Sequence, residues 1–140
     1  MRKKVHILYK ITANPYGGGN QFLRILKEYF KKEHIYEENA SLADIILVNS
    51  KDNLDVALHY KKNLNKKIVH RIDGVFGIYR KQPELDRMVH YFAKEYADGI
   101  VYQSSWSREA HKTHGMSSHL REVVIHNAPN PNIFNSDYIK

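Results

Sequence analysis

Short apolar stretches alternate along the chain with longer segments whose apolar residues recur every three or four positions. The apolar stretches predict strands at residues 5–9, 43–48, 67–70, 99–102 and 123–125, with a further short strand at 34–36. Strands that alternate with helices in this way predict a parallel sheet with helices on both faces, a doubly wound, Rossmann-like α/β fold. Four strand residues are expected to be buried: Ile7, Ile46, Val69 and Val101.

The clearest helix follows Pro83, a residue type that suits the first turn of a helix. Apolar residues then recur along one face: Leu85, Met88, Val89, Phe92, Ala93, Tyr96 and Ala97. We interpret this face as core and not as a ligand-binding surface. Shorter patterns predict helices over residues 22–30, 54–64 and 105–114.

The segment from Lys66 to Gly74 begins as a short apolar strand and ends in a polar cluster. In an open α/β sheet, ligands are held beyond the carboxyl ends of the strands, so this cluster is a candidate site. In an extended chain Arg71 and Asp73 point to one side of the sheet and His70 to the other. The alternative is that Arg71 and Asp73 form an ion pair with a purely structural role.

A glycine-rich stretch follows the first strand, and residues 14–20 are expected to form a loop before the first helix. Gly17, Gly18 and Gly19 there permit close approach of a ligand to the backbone, and strand, glycine loop and helix in this order are typical of phosphate-binding domains. The glycines alternatively form only a tight turn. A dinucleotide fingerprint is a weaker alternative, because Phe22 occupies the third glycine position even though Glu37 has the spacing of a ribose-binding acid.

Polar residues also follow the other predicted strands: Asn49, Ser50, Gln103, Ser104, Trp106, His126 and Asn127. Since the carboxyl ends of parallel strands share one edge of the sheet, we expect the glycine loop, Asp73 and Ser104 to border one groove. His111 and His114 have no carboxylate at metal-ligand spacing, so both are interpreted as exposed.

Composition narrows the function classes. The net charge of +7 favours anionic partners such as phosphorylated small molecules, an acidic membrane surface or nucleic acid. Specific nucleic-acid binding is disfavoured because the aromatic residues do not interleave with the lysines. The absence of cysteine excludes disulfides and thiolate metal sites. No apolar run approaches the ~18 residues of a membrane span and no secretory signal is visible, so we expect a cytoplasmic location, including one at a membrane surface.

Several segments together resemble the N-terminal half of GT-B glycosyltransferases of family 4. They are residues 70–74, Tyr79 with Arg80, and residues 96–107. Residues 124–134 look like that family's I-x-N-G-V-D-x-x-x-F segment, and the three glycines resemble its glycine-rich loop. The resemblance covers nearly the whole chain.

The resemblance implies retaining, metal-independent transfer of a sugar from a nucleotide-sugar to an acceptor hydroxyl on a carbohydrate, protein or lipid-linked acceptor. It makes His70 and Asp73 candidate catalytic residues. The candidate substrate-binding residues are Gly17, Gly18, Gly19, Asn20, Arg71, Gly74, Gln103, Ser104, Trp106 and Asn127. No resident cofactor or metal is expected, since the nucleotide-sugar is the donor substrate.

Two features depart from the family pattern. Ala128 replaces the glycine that usually follows the asparagine, and the family's donor-binding C-terminal domain, with its basic pair and glutamate-rich motif, has no counterpart here. We therefore expect residues 1–126 to form an N-terminal, mainly acceptor-side domain and residues 127–140 a linker to a missing C-terminal domain. The alternative function is a non-catalytic Rossmann-like module that binds a nucleotide or phosphorylated ligand.

Overall fold

A five-stranded parallel sheet forms the centre of the fold in a computed structural model that describes residues 1–14, 17–117 and 121–127. The strands are β1 (Val5–Leu8), β2 (Ile45–Asn49), β3 (Lys67–Ile72), β4 (Gly99–Tyr102) and β5 (Arg121–Val124). They lie side by side in chain order, and every neighbouring pair is parallel. The predicted parallel sheet is therefore confirmed. Residues 34–36 were predicted to form a strand but contribute only one bridge, between Val5 and Tyr36.

Helices connect the strands. They are α1 (Gly17–Lys32), α2 (Leu54–Leu64), α3 (Phe76–Tyr79), α4 (Pro83–Tyr96) and α5 (Ser105–Thr113), with a 3₁₀ turn at Ala40–Leu42. Within the described ranges, no helix has the length and apolar content that crossing a bilayer requires. The predicted linker from residue 128 onward, and Pro15 and Tyr16 of the predicted glycine loop, lie outside the described residues.

The helices cover both faces of the sheet, as predicted for a doubly wound fold. On one face, Leu23 of α1 packs with Ile7 and Leu47. On the opposite face, Ala57 of α2 and Phe92 of α4 belong to a cluster with the β2 and β3 side chains. Neighbouring residues of one strand point to opposite faces, so β1, β2 and β3 each contribute to both clusters.

The direction of winding reverses between β1 and β2. The chain leaves β1 through α1, passes the bridge at Tyr36 on the outer edge of β1, and then returns to β2 on the inner edge. Right-handed connections then place α1 on one face and the later helices on the other. The segments that follow β1 and β2 consequently diverge and leave a crevice at the carboxyl ends of these strands, which is where open α/β sheets bind ligands.

The face that carries α1 is only partly covered. Ile7 and Ile46 are buried as predicted, but Val69 and Val101 are only half-buried. Among the described residues, α1 is the only helix packed on this face, and it does not reach β4 and β5. Val123 is accordingly 49% exposed.

Two polar residues of α4, Asp86 and His90, are buried. Met88, which the apolar pattern predicted to be buried, is instead 43% exposed. The Asp86 carboxylate accepts hydrogen bonds from the backbone N–H groups of Phe76 (2.8 Å) and Gly77 (2.7 Å) and so holds the start of α3. His90 bonds to a histidine of α5. Because these bonds satisfy both polar groups, the helix turns them inward and its buried face is shifted from the predicted one.

The glycine stretch was predicted to be a loop, but it forms the first turn of α1. Glycine is unfavourable in a helix interior by about 1 kcal/mol relative to alanine. The cost is offset here because the buried Asn20 side chain bonds to both the N–H and the carbonyl of Thr12, at 3.0 Å each, and fixes the entry of the chain. Gly17 has φ of +62°, a left-handed conformation that favours glycine.

We expect Ile46→Ala to reduce the free energy of unfolding by about 2–5 kcal/mol, because it opens a cavity between the sheet and α2. The matched control is Leu42→Ala, which truncates a side chain that is 66% exposed and should cost less than about 1 kcal/mol. Urea unfolding followed by circular dichroism measures both values. Equal losses would contradict the assignment of Ile46 to the core.

Candidate functional site

A polar cleft with a volume of about 220 Å³ lies at the carboxyl ends of β1, β2 and β3. It is lined by Tyr9, Gly17, Gly19, Asn20, Asn49, Ser50, Lys51, Asp52, Asp73, Phe76 and Arg80. Its position coincides with the reversal of winding between β1 and β2, where ligand sites are expected. Four of the sequence-predicted site residues, Gly17, Gly19, Asn20 and Asp73, line it.

Arg71 organises the floor of the cleft from within the protein. Its side chain is only 1% exposed. One terminal nitrogen donates to Asn49 Oδ1 (2.6 Å) and to Asp73 Oδ1, and the other donates to Asn127 Oδ1 (2.8 Å). The guanidinium also lies 4.5 Å from the centroid of the Phe22 ring of α1. The predicted alternative, an Arg71–Asp73 ion pair, is therefore present, and both terminal nitrogens of the guanidinium donate to protein groups, whereas Nε has no hydrogen-bond partner among the described residues.

The start of α1 faces Asp73 across the cleft. A Cβ placed on Gly19 would lie 3.7 Å from Asp73 Oδ2 and 3.8 Å from Asn49 Nδ2. The first N–H groups of a helix have no partner within the helix and carry partial positive charge. The glycines leave this end of α1 open, so a ligand that enters the cleft meets both backbone donors and a carboxylate oxygen.

His70 is fully buried and does not line the cleft. Its Nε2 donates to the Ser50 carbonyl at 2.7 Å, so the proton of the neutral ring resides on Nε2. Burial lowers the pKa of His70 to about 4, and the ring stays neutral at ordinary pH. The structure thus gives no support to the expectation that His70 touches a substrate. It places His70 instead as a support for the chain that follows β2.

Ser50 itself adopts a left-handed backbone with φ of +51°. Such a conformation costs a non-glycine residue roughly 1–2 kcal/mol. Bonds on both sides of the residue hold it, since its N–H donates to the Arg71 carbonyl (2.7 Å) and its carbonyl accepts from His70. Strained backbone of this kind recurs at binding sites, where the fold over-determines it.

Two residues of α5 clamp the Asp73 carbonyl. Ser107 Oγ and His111 Nε2 both donate to that oxygen, each at 2.7 Å. His111 Nδ1 therefore accepts, and His90 Nε2 donates to it at 2.8 Å. The prediction that His111 is exposed was wrong, because positions 107 and 111 share the inward face of α5. The prediction for His114 is confirmed, as its side chain is exposed.

The remaining predicted residues lie around the same edge. Ser104 was predicted to border the same groove as the glycines and Asp73, but it does not line the cleft; it caps α5 by accepting from the N–H of Ser107 at 3.0 Å. Asn127 is near the glycines, since a Cβ on Gly18 would lie 3.9 Å from its Nδ2. Gln103 is half-buried and Trp106 is 54% exposed, and neither lines the cleft.

Sequence reasoning missed five residues that line the cleft: Tyr9, Lys51, Asp52, Phe76 and Arg80. Each lies one to several residues beyond a strand end, where sequence alone does not fix the path of the chain. Burial, with smaller contributions from Asp52 and Asp73, raises the pKa of Tyr9, so its phenol is a donor within the cleft. In the described part of the chain, no group of three or more histidine, aspartate or glutamate residues is arranged to hold a metal ion.

No protein-family model and no curated protein matches the sequence. Among solved structures, the fold resembles Anabaena HepE in complex with UDP-glucose, with a TM-score of 0.72 and 17% sequence identity. The complex of HepE with UDP and glucose gives a TM-score of 0.72 and 16% identity, and the complex with UDP gives 0.68 and 16%. At this level of identity, the likeness concerns the fold.

The chain spans less than half the length of these solved structures. In the UDP-glucose complex the match covers 95% of this chain and 46% of HepE. The corresponding values for the UDP complex are 94% and 46%. The described fold therefore corresponds to one part of the longer HepE chain.

We expect the free energy of unfolding to fall as the pH is lowered from about 6.5 towards about 4. Burial lowers the pKa values of His70 and His90 to about 4, and burial also lowers that of His111, from an unfolded value of 6.5. The unfolded chain consequently takes up protons before the folded chain does, and stability is lost by up to about 1.4 kcal/mol per pH unit for each histidine.

Urea unfolding at a series of pH values tests this expectation. His111→Gln removes one of the titrating groups, so it should flatten the dependence of stability on pH. His114→Gln changes an exposed histidine of the same helix and should leave the dependence unchanged. A flat profile for the unsubstituted chain in this window would contradict the neutral, buried state of the three histidines.

Proposed function

We propose that this chain is the N-terminal, mainly acceptor-side half of a two-domain glycosyltransferase of the GT-B type, similar to family 4. The observation that carries the proposal is the glycine-opened start of α1, which faces Asp73 across the cleft. The likeness of the fold to HepE, a protein crystallised with UDP-glucose, supports it. The donor is a nucleotide-sugar and the acceptor a hydroxyl on a carbohydrate, protein or lipid-linked sugar.

In the proposed reaction, the bond between the anomeric carbon of the donor and its diphosphate breaks, and the diphosphate leaves with the electron pair. A new bond forms from the anomeric carbon to the acceptor oxygen with retention of configuration, and the proton of the acceptor hydroxyl passes to an oxygen of the departing diphosphate. Backbone N–H groups at the start of α1 stabilise the charge that grows on the leaving group. No metal takes part in the proposed step.

Asp73 is the side chain best placed to bind a sugar hydroxyl. Its Oδ1 accepts from Arg71, whereas its Oδ2 lies on the cleft side, next to Gly19. The side chain is 29% exposed, which leaves it accessible while three bonds to its neighbourhood fix its position. A carboxylate held in this way accepts a hydroxyl hydrogen bond without reorganisation when the ligand binds.

The balanced charge of the cleft lining favours the assignment of this chain to the acceptor-binding side of such an enzyme. Its basic residues are Lys51 and Arg80, and its acidic residues are Asp52 and Asp73. Lys51 Nζ lies 3.4 Å from Asp52 Oδ1, so the two charges of this pair largely neutralise each other. The charged side chains that line the cleft thus add no net positive charge for a diphosphate. We assign the positive charge that a diphosphate needs, beyond the backbone N–H groups at the start of α1, to a C-terminal domain joined through a linker at residues 127–140, with residues 1–126 as the N-terminal domain of a cytoplasmic enzyme.

Gly19→Ala is expected to separate binding from stability. The added methyl group meets only ordinary contacts and replaces a poor helix former, so stability should stay equal or rise by up to about 1 kcal/mol. The same methyl group enters the cleft beside Asp73, so UDP-glucose should bind more weakly. Gly18→Ala is the matched control, because it lies in the same turn and does not line the cleft.

Ligand-observed NMR with UDP-glucose and thermal unfolding measure the two effects. Equal binding by the two alanine variants would contradict the position of the donor at the start of α1. A loss of folding in Gly19→Ala would instead show that the glycine is required by the fold.

The isolated chain should bind UDP-glucose weakly, with a dissociation constant of about 1 mM, and should transfer no sugar. A few polar contacts supply about 4 kcal/mol, and half of a cleft leaves the diphosphate facing water, where charge stabilisation is weaker. Calorimetry and a donor-hydrolysis assay test both statements. Tight binding or turnover by residues 1–140 alone would make this chain a self-sufficient enzyme. Binding without turnover after addition of a C-terminal domain would favour the non-catalytic alternative.

A further inference from the structure

Two aromatic side chains stand exposed beside the cleft. Tyr79, the last residue of α3, is 67% exposed, and Trp106, near the start of α5, is 54% exposed. Their ring centroids are 6.2 Å apart and the rings are inclined by 56°. Ile78 adds a third exposed apolar side chain. Exposed apolar groups gathered at one place, next to a polar groove, mark binding surfaces more often than single exposed residues do.

The site segment fixes the position of Tyr79. A Cβ placed on Gly74 would lie 2.7 Å from Cε2 and 3.2 Å from Cδ2 of the Tyr79 ring. The ring therefore packs directly on the backbone of Gly74, in the space that any larger residue would fill. Gly74 immediately follows Asp73, so the ring is held close to the carboxylate that faces the cleft.

Trp106 is held from the other side of the same segment. Ser107, its neighbour in the chain, donates to the Asp73 carbonyl at 2.7 Å and also bonds to the capping Ser104. The α5 backbone that carries Trp106 is thus tied to Asp73. Both rings are anchored on two consecutive residues of the candidate site, which is the support that a binding surface needs to keep its geometry.

The two rings do not line the cleft, but Tyr79 is a chain neighbour of residues that do. Phe76 and Arg80, which lie in and next to the short helix α3, line the cleft. Arg80 is stacked on Phe76, with its guanidinium carbon 5.7 Å from the ring centroid. A ligand that rests on Tyr79 and Trp106 therefore lies next to the cleft wall.

We infer that Tyr79 and Trp106 form an aromatic platform that binds a neutral sugar ring of the acceptor. The inference rests on the proposed function and adds to it the class and position of the acceptor. One face of a pyranose ring presents C–H groups that pack on aromatic rings, while its hydroxyls remain free for polar groups such as Asp73. Tyrosine and tryptophan suit this role because each combines a large apolar face with a polar group that tolerates water.

A membrane surface is the rival occupant, and the composition of the platform disfavours it. Ile78 is the only exposed aliphatic residue of α3, so the surface lacks the broad apolar face by which interfacial segments enter a bilayer. The platform lies between Gly74 and the cleft wall, and this position instead suits a small ligand that must meet the donor.

Trp106 is the only tryptophan of the chain, so intrinsic fluorescence reports occupancy of the platform directly. The probes are methyl β-glucoside, methyl β-galactoside, cellobiose and maltose, each titrated into the full chain. We expect at least one of them to give a saturable fluorescence change and saturation transfer in NMR. Tyr79→Ala should weaken that binding about tenfold, and Tyr79→Phe, which retains the ring, should not.

Matched variants distinguish the platform from general effects of losing a ring. Tyr91→Ala removes a tyrosine of α4 that is 59% exposed and also pairs with another ring, Tyr96, and it should bind the sugar as the unsubstituted chain does. Gly74→Ala keeps both rings but displaces Tyr79, so it should also weaken binding. Circular dichroism confirms that each variant is folded before its affinity is compared.

The inference is overturned if none of the sugars changes the Trp106 signal, or if Tyr79→Ala and Tyr91→Ala bind equally well. It is also overturned if vesicles of acidic phospholipid shift the emission to shorter wavelength while the sugars have no effect, since that identifies a membrane-binding surface. UDP-glucose binding separates the two proposals. Sugar binding without UDP-glucose binding contradicts the proposed function and leaves the platform standing, whereas the reverse result contradicts the platform alone.

Discussion

The buried guanidinium of Arg71 is the constraint on which the site depends. A charge removed from water is tolerated only when it is paired and hydrogen-bonded. The two terminal nitrogens of Arg71 meet that need with Asn49 at the end of β2, Asp73 after β3 and Asn127 after β5, and the flat face of the guanidinium rests on Phe22 of α1. Four separate parts of the chain must come together before the charge is compensated. The same contacts that make the charge tolerable therefore assemble the edge of the sheet where the cleft lies.

A second set of bonds reaches the same segment from the opposite face. His90 donates to His111, and His111 together with Ser107 donates to the Asp73 carbonyl. This arrangement requires the His111 ring to be neutral, because a protonated His111 has no acceptor nitrogen for His90. Burial supplies that condition by lowering the pKa of His111, and it also lowers the pKa of His90. Asp73 is thus fixed through its carboxylate on one side of the sheet and through its carbonyl on the other.

The α/β order and the parallel sheet could be predicted from the sequence because they depend on repeating patterns. Predictions failed where one local contact outweighs the pattern. Asn20 turns a glycine stretch into a helical turn, and the bonds made by Asp86 and His111 turn polar residues inward. Val69 was expected in the core, but its burial depends on which helices cover each face, and periodicity in a strand does not contain that information. Four predicted site residues line the cleft because they directly follow strands or open a helix.

The segment from Arg71 to Gly74 shows why a short run of residues suffices to join two proposed binding surfaces. Asp73 directs Oδ2 towards Gly19 in the cleft, while the Gly74 backbone supports the Tyr79 ring of the platform. Since these residues are consecutive, the two proposed surfaces are joined through one peptide unit, which couples their positions. A catalyst that joins two substrates benefits from such rigidity, because much of its advantage comes from holding the reacting groups in one geometry. In the proposed enzyme, domain closure has to bring only the donor to a surface that already fixes the acceptor.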